Sequence, residues 1–157
     1  MKEVELSSEN VEPPDWLPDL SRAADYVYTE LGRSAWDVSV LLCDDDRIAE
    51  LNRTFRDIDA PTDVLTFSAN ADDEVLADPS AAIGGDVAIS IPNVTTNAEY
   101  FGVPVTEELL RVYVHALLHL AGYTHEGVDL SSETAAAHPM LSLQERLVAG
   151  LQKELHS

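Results

Sequence analysis

Apolar residues recur along this chain with two periods. Between Trp16 and Leu31, the residues Leu17, Leu20, Ala24, Val27 and Leu31 fall at helical spacing, and Gly32 follows as a stop; this predicts a helix. In AWDVSVLLC (35–43), Val38, Val40 and Leu42 alternate with Asp37, Ser39 and Leu41, the period of a strand. KEVELS, near the start, reads as a short first strand, and VEPPD breaks the chain after it. RIAELNRTF (47–55) predicts a second helix, capped by Asp44, Asp45 or Asp46. DIDAPTD is a turn, because Pro61 pushes Ala60 away from helical geometry. VLTFS (64–68) and GGDVAISIP (84–92, ended by Pro92) predict strands on either side of an acidic loop or edge hairpin over 69–82.

Three further helices follow. One covers Thr95 to Tyr100 and stops at Gly102. The next is capped by Thr106, has Glu107 and Glu108 in its first turn, and runs through LLRVYVHALLHLA to Gly122. It is apolar nearly all round, which places it inside a domain. The last is amphipathic and covers LSLQERLVAGLQKEL (141–155). Strands mixed with helices predict an α/β or α+β domain, with one sheet of about four strands covered by helices.

The 157 residues suit a single domain spanning 1–157. The N-terminal stretch MKEVELSSENVEPP is acidic and lacks the apolar core of an export signal, and no apolar run approaches a membrane span. A cytoplasmic protein without a membrane role is the expectation. Cys43 is the only cysteine, which excludes an intrachain disulfide and a multi-cysteine metal cluster. Nine Lys and Arg stand against 29 Asp and Glu, a net charge of −20. That is the reverse of a basic nucleic-acid footprint. A polyanionic substrate would have to be held by a few local cations or a metal.

The segment with the clearest chemistry is HALLHLAGYTH, residues 115–125. His115 and His119, four apart, share a helix face, and Gly122 lets the chain reverse so that His125 can return to them. Three imidazoles with a fourth position open is the catalytic form of zinc coordination. The metzincin proteases place their ligands likewise, but in H-E-x-x-H-x-x-G-x-x-H the second position is a Glu that acts as base. Here it is Ala116, so peptide hydrolysis is not expected. His138 and His156 stand apart from this group.

HALLHLAGYTH resembles the H-G-x-L-H-L-x-G-Y-D-H signature of the YbeY family, bacterial endoribonucleases of ribosomal RNA maturation. LNRTFRDIDAPTDVLTFS (51–68) is similar to its L-N-x-x-[YF]-R-x-x-D-x-P-T-D-V-L-S-F block. GGDVAISIP resembles its G-D-I-x-I-[SC] block, and Met140 with Glu145 its C-terminal M-x-x-x-x-E. Ala116 replaces the family's usual Gly, a harmless change in a helix. Thr124 replaces its usual Asp, which removes a carboxylate that could hold a ligand or carry a proton.

The resemblance implies an α+β domain with a mixed sheet of about four strands, and one zinc ion per chain at the end of the buried central helix, on His115, His119 and His125. It implies cleavage of single-stranded RNA, in maturation of the 3′ end of 16S ribosomal RNA and in ribosome quality control. Implied partners are ribosomal RNA, a small-subunit ribosomal protein and the ribosome-assembly GTPase Era. Arg56 and His115 are the expected catalytic residues, with Arg56 also binding substrate phosphate through its guanidinium fork. The plain alternative for Arg56 is a surface ion pair with Asp57 or Asp59. Arg53 and Arg111 are weaker candidates, Arg111 having Glu107 and Glu108 within one turn. Thr62, Asp63 and Asp86 read as structural, and Trp16 and Trp36 as core residues rather than base-stacking platforms. Attack by activated water or by a ribose 2′-hydroxyl both remain open on the residues alone. So do two other functions, a metal-dependent hydrolase of another bond and a ribosome-assembly binding factor with a structural metal.

Overall fold

The computed structural model describes residues 3–69, 82–123 and 139–155. Among them are β1 (Glu5–Ser8), α1 (Leu20–Glu30), β2 (Trp36–Cys43), α2 (Asp45–Arg56), β3 (Val64–Ser68), β4 (Ile83–Ser90), α3 (Ile91–Phe101), α4 (Val105–Leu120) and α5 (Pro139–Leu155). The strands form one mixed sheet in the order β1-β2-β4-β3. β1, β2 and β4 run parallel, and β3 lies antiparallel along β4. The architecture is the α+β, four-stranded one anticipated.

The expected alternation in β2 decides which face of the sheet is covered. Trp36, Val38, Val40 and Leu42 are buried on one side, in the main core with α1, α4 and α5. The other side carries a smaller cluster of Cys43, Ile48, Leu65 and Ala88, covered by α2.

α4 runs through the middle of the main core, as its all-round apolar sequence requires. Buried tyrosines tie α1 to it. Tyr28 Oη donates to the Leu117 carbonyl at 2.8 Å, and Tyr113 Oη to the Leu20 carbonyl at 2.9 Å. Both hydroxyls are thereby satisfied, and burial raises the pKa of each above the usual tyrosine value.

Several boundaries differ from the sequence reading. α1 begins at Leu20 rather than Trp16, because Pro18 keeps Leu17 out of helical geometry and Asp19 caps by accepting from Arg22 N at 3.0 Å. Pro92 does not end β4. It lies in the first turn of α3, where no N–H is needed, and Ser90 caps that helix. The predicted helix over 95–100 is therefore longer, at Ile91–Phe101. Thr106 is not the cap of α4; Pro104 holds that position without a side-chain bond, and Thr106 lies in the first turn. Asp44 is the one of the three aspartates that caps α2, with Asp45 and Asp46 in its first turn. Most of the acidic segment 69–82 lies outside the described residues.

Candidate active site

From Val112 to Gly122 only two residues are not buried, and both are histidines. His115 and His119 sit on successive turns of α4 with their Nε2 atoms 3.0 Å apart and their rings at 72°. The helix ends as the glycine predicts: Gly122 takes φ 95° and its N–H bonds the His119 carbonyl at 3.0 Å. His125, Thr124 and His138 lie outside the described residues, as does His156. Among the described residues no third His, Cys, Asp or Glu joins the two histidines.

The pair opens into a cavity of about 300 Å³. Its other wall comes from the second sequence block: Asn52 and Arg56 on α2, Thr62 on the loop after it, and Thr66 on β3. Arg56 is the last residue of α2, not part of the turn, because Asp57 takes the left-handed conformation that ends the helix. Arg56 Nη2 donates to the Thr66 carbonyl at 2.8 Å. The surface ion pair with Asp59 that the sequence offers Arg56 is made instead by Arg53, at 3.4 Å. The carbonyl leaves the positive charge of Arg56 unneutralised by any carboxylate among the described residues. Buried Asn52 shapes this wall: its side-chain Nδ2 donates to the Ala60 carbonyl at 2.9 Å, and its backbone carbonyl accepts from Ile58 N at 3.3 Å.

A second cavity of about 490 Å³ lies on the far side of His115, sharing Thr62 and Val64 with the first. It is acidic, with Asp63 and Glu108 in its lining. Arg111 lies here too, but it is taken up by Glu107, Glu108 and Glu145 at 3.4, 3.5 and 2.9 Å. Its charge is therefore spent within the protein, which removes it as a phosphate candidate. Burial raises the Glu108 carboxyl above its usual pKa, with Arg111 opposing the shift. Thr62 Oγ1 donates to Asp63 Oδ1 at 3.3 Å, and the Asp63 carbonyl accepts from Ser90 N, so this pair also has a structural task.

One residue of the site escaped the sequence reading. Gln144 on α5 is buried, and its Oε1 lies 2.7 Å from His115 Nδ1. Its position beside Glu145, which the sequence comparison did single out, was the available signal. Asp86 belongs elsewhere: it pairs in register with Ser39 and Phe67 and lines a separate cavity of about 430 Å³, to which neither His115 nor His119 contributes. Trp36 is buried and so offers no face to a base, and Trp16 packs partly buried against the core, away from the residues that line the histidine cavity.

Two imidazoles with converging Nε2 atoms are a donor set that fits zinc, for which neutral imidazole is a preferred ligand. His125, two residues beyond the described end of this segment at Tyr123, is the third donor that the sequence offers.

Comparison with known proteins agrees at the level of sequence and of fold. The family model described as Endoribonuclease YbeY matches residues 4–152. A Treponema denticola protein named Endoribonuclease YbeY is 39% identical over 142 residues, covering 88% of this chain and 87% of that protein. One from Borreliella afzelii is 42% identical over 123 residues, covering 78% of each. The solution structure of a Thermotoga maritima protein superposes with a TM-score of 0.65 at 30% identity, covering 96% of this chain and 90% of that one. The match runs through both walls of the histidine cavity, from the Arg56 block to α4 and on into α5, and on that ground this chain belongs to the YbeY endoribonuclease family.

Proposed function

We propose that this protein is a zinc-dependent, single-strand-specific endoribonuclease that acts on ribosomal RNA, with His115, His119 and His125 as the metal ligands and Arg56 as the phosphate clamp. Membership of the family makes it a nuclease of RNA phosphodiester bonds. The observation that carries the finer reading is the shared cavity: Arg56, from α2, and His115 with His119, from α4, line one concave site although the chain separates them widely.

Each residue has a part in that reading. Cleavage adds charge to a phosphate, and a preorganised cation in the cavity stabilises it without reorganisation. Arg56 has five N–H donors and commits one to Thr66, which orients the guanidinium and leaves the rest for phosphate oxygens. His115, His119 and His125 would hold the zinc ion, which when bound would supply Lewis acidity toward a phosphoryl oxygen and a bound water of lowered pKa. His115 acts in catalysis as one of those ligands. The products separate the two routes of attack, since only a ribose 2′-hydroxyl nucleophile leaves a cyclic phosphate.

The proposed setting is maturation of the 3′ end of 16S ribosomal RNA and ribosome quality control, with a small-subunit ribosomal protein and the GTPase Era as partners. The net charge of −20 favours a second contribution, docking to basic ribosomal proteins, and with it the reading of an assembly factor whose metal is structural. No helix among the described residues is long and apolar enough to cross a membrane.

The deciding experiment is metal analysis of the purified protein followed by cleavage of a defined single-stranded RNA. Chelation should abolish cleavage and zinc should restore it. Cleavage that survives complete metal removal overturns the zinc reading, and a zinc-loaded protein that cleaves nothing hands the function to the assembly factor.

A further inference from the structure

Behind His115 runs a chain of side chains that the reading above does not use. His115 Nδ1 faces Gln144 Oε1 at 2.7 Å. An amide oxygen only accepts, so the imidazole must donate from Nδ1. Which end of the Gln144 amide faces the ring is decided by its other neighbour. Gln144 Nε2 lies 3.2 Å from Glu145 Oε2, and a carboxylate likewise only accepts. Turning the amide over would set its oxygen against the carboxylate. Glu145 is fixed in turn by Arg111, whose Nε reaches Oε2 at 2.9 Å and whose Nη2 reaches Oε1 at 3.0 Å. At every link the donor and acceptor roles are forced by the next.

We infer that Gln144 is a positioning residue: it locks His115 into the tautomer protonated at Nδ1, so that Nε2 presents a bare lone pair toward His119, and the Arg111–Glu145 pair holds Gln144 in the required orientation. The consequence for metal binding rests on the zinc reading above, while the tautomer is a property of the metal-free chain. A ligating histidine commonly donates its other N–H to a fixed acceptor, which orients the ring and raises the basicity of the ligating nitrogen. Here the acceptor comes from a different helix. Gln144 and Glu145 ride on α5, which Met140, Leu147, Val148 and Leu151 anchor in the core with α4. Packing of α5 on α4 therefore delivers the acceptor to the ligand before any metal arrives.

The test uses two readouts on the full-length protein. The first is the ring ¹⁵N spectrum of the metal-free protein, which distinguishes protonated from bare histidine nitrogens. In the wild type His115 should be protonated at Nδ1 and bare at Nε2. Gln144→Leu, which removes the acceptor at similar size, should lose that signature, and Gln144→Glu, which keeps an acceptor, should retain it. Glu145→Ala, at a half-exposed position that tolerates truncation, should weaken the signature by freeing the amide to turn. The second readout is zinc affinity by chelator competition: Gln144→Leu should lose about 10- to 100-fold and Gln144→Glu should recover most of it. A wild-type His115 protonated at Nε2 overturns the inference, as does a folded Gln144→Leu or Glu145→Ala variant with wild-type spectrum and affinity. If the wild type shows the Nδ1 signature and yet binds no zinc, the positioning role stands and the metal reading fails.

Discussion

Arg56, the last residue of α2, donates its Nη2 hydrogen to the carbonyl of Thr66 on β3, at 2.8 Å, and so points into the cavity that His115 and His119 line. A neutral carbonyl holds the guanidinium without cancelling its charge. Arg56→Ala should leave zinc content unchanged and alter stability by about 1 kcal/mol or less, because the residue is exposed. Single-turnover cleavage of a short single-stranded RNA should fall by about 100-fold or more, the scale for losing one preorganised charge stabiliser. Arg56→Lys should recover part, keeping the charge and losing the fork. A wild-type rate in zinc-replete Arg56→Ala would remove Arg56 from the chemistry.

For the metal, the expectation is one zinc per chain. Alanine at His115, His119 or His125 should each remove most of it, since two imidazoles hold zinc poorly, while His156→Ala should bind normally. Elemental analysis of the purified variants gives the answer, and full zinc retention in all three single variants would contradict the assignment.

Salt should act on this nuclease in the direction opposite to most RNA-binding proteins. Among the described residues, Arg22, Arg47, Arg53 and Arg111 face carboxylates within the fold, so their charge is already engaged. Ordinary RNA binders lose affinity with salt through counterion release. Here the net charge of −20 repels the substrate, and salt screens that repulsion. Cleavage should hold or rise from low to moderate ionic strength. A steep fall starting at the lowest salt would reveal a basic track on the surface.

Gly85 couples the sheet to the end of α4. A Cβ there would come within 2.5 Å of the Phe67 carbonyl oxygen and 2.6 Å of Leu120 Cδ2, with φ at +155°. Gly85→Ala should therefore cost about 1 to 3 kcal/mol, the usual range for overpacking a core. Zinc affinity should fall with it, because Leu120 adjoins His119. Gly102→Ala meets nothing within 4 Å and carries only the cost of its left-handed backbone, about 1 to 2 kcal/mol. Urea denaturation of both variants makes the comparison, and a Gly85→Ala protein with wild-type stability and zinc affinity would rule out the coupling.

Two carboxyls near Arg111 should give opposite pH responses. Burial raises the pKa of Glu108, and Arg111 only partly offsets it. A raised folded value means the folded state holds the proton more tightly, so Glu108 stabilises most at low pH and loses that contribution as pH rises through the folded value. Glu108→Gln should gain on the wild type from about pH 4 to pH 7. For Glu145, burial pushes upward but the hydrogen bonds from Arg111 and Gln144 win, and its pKa is lowered. Its stabilisation is present above the ordinary carboxyl value and lost as pH falls through the folded one. The deficit of Glu145→Gln should thus shrink below about pH 4. Urea midpoints across this range test both, and slopes of the same sign for the two variants would refute the assignment.

By itself the sequence determined what depends on neighbours along the chain. The period of apolar residues set the strands and helices, the all-round apolar character of residues 105–120 set the burial of α4, and the spacing of His115, His119 and Gly122 set a face and a stop. These are short-range properties of backbone geometry. Some local signals have two physical outcomes, and the sequence alone does not choose between them. Pro92 lacks an N–H, which suits the end of a strand and the first turn of a helix equally, and the Ser90 cap decided for the helix. Only the tertiary structure decided what depends on residues distant in the chain. It placed β4 between β2 and β3, and brought the end of α2 to the histidines of α4. It also turned Gln144 of α5 toward His115. No period records such meetings. They follow from which apolar faces bury one another, and the polar side chains that those faces carry are brought together as a consequence.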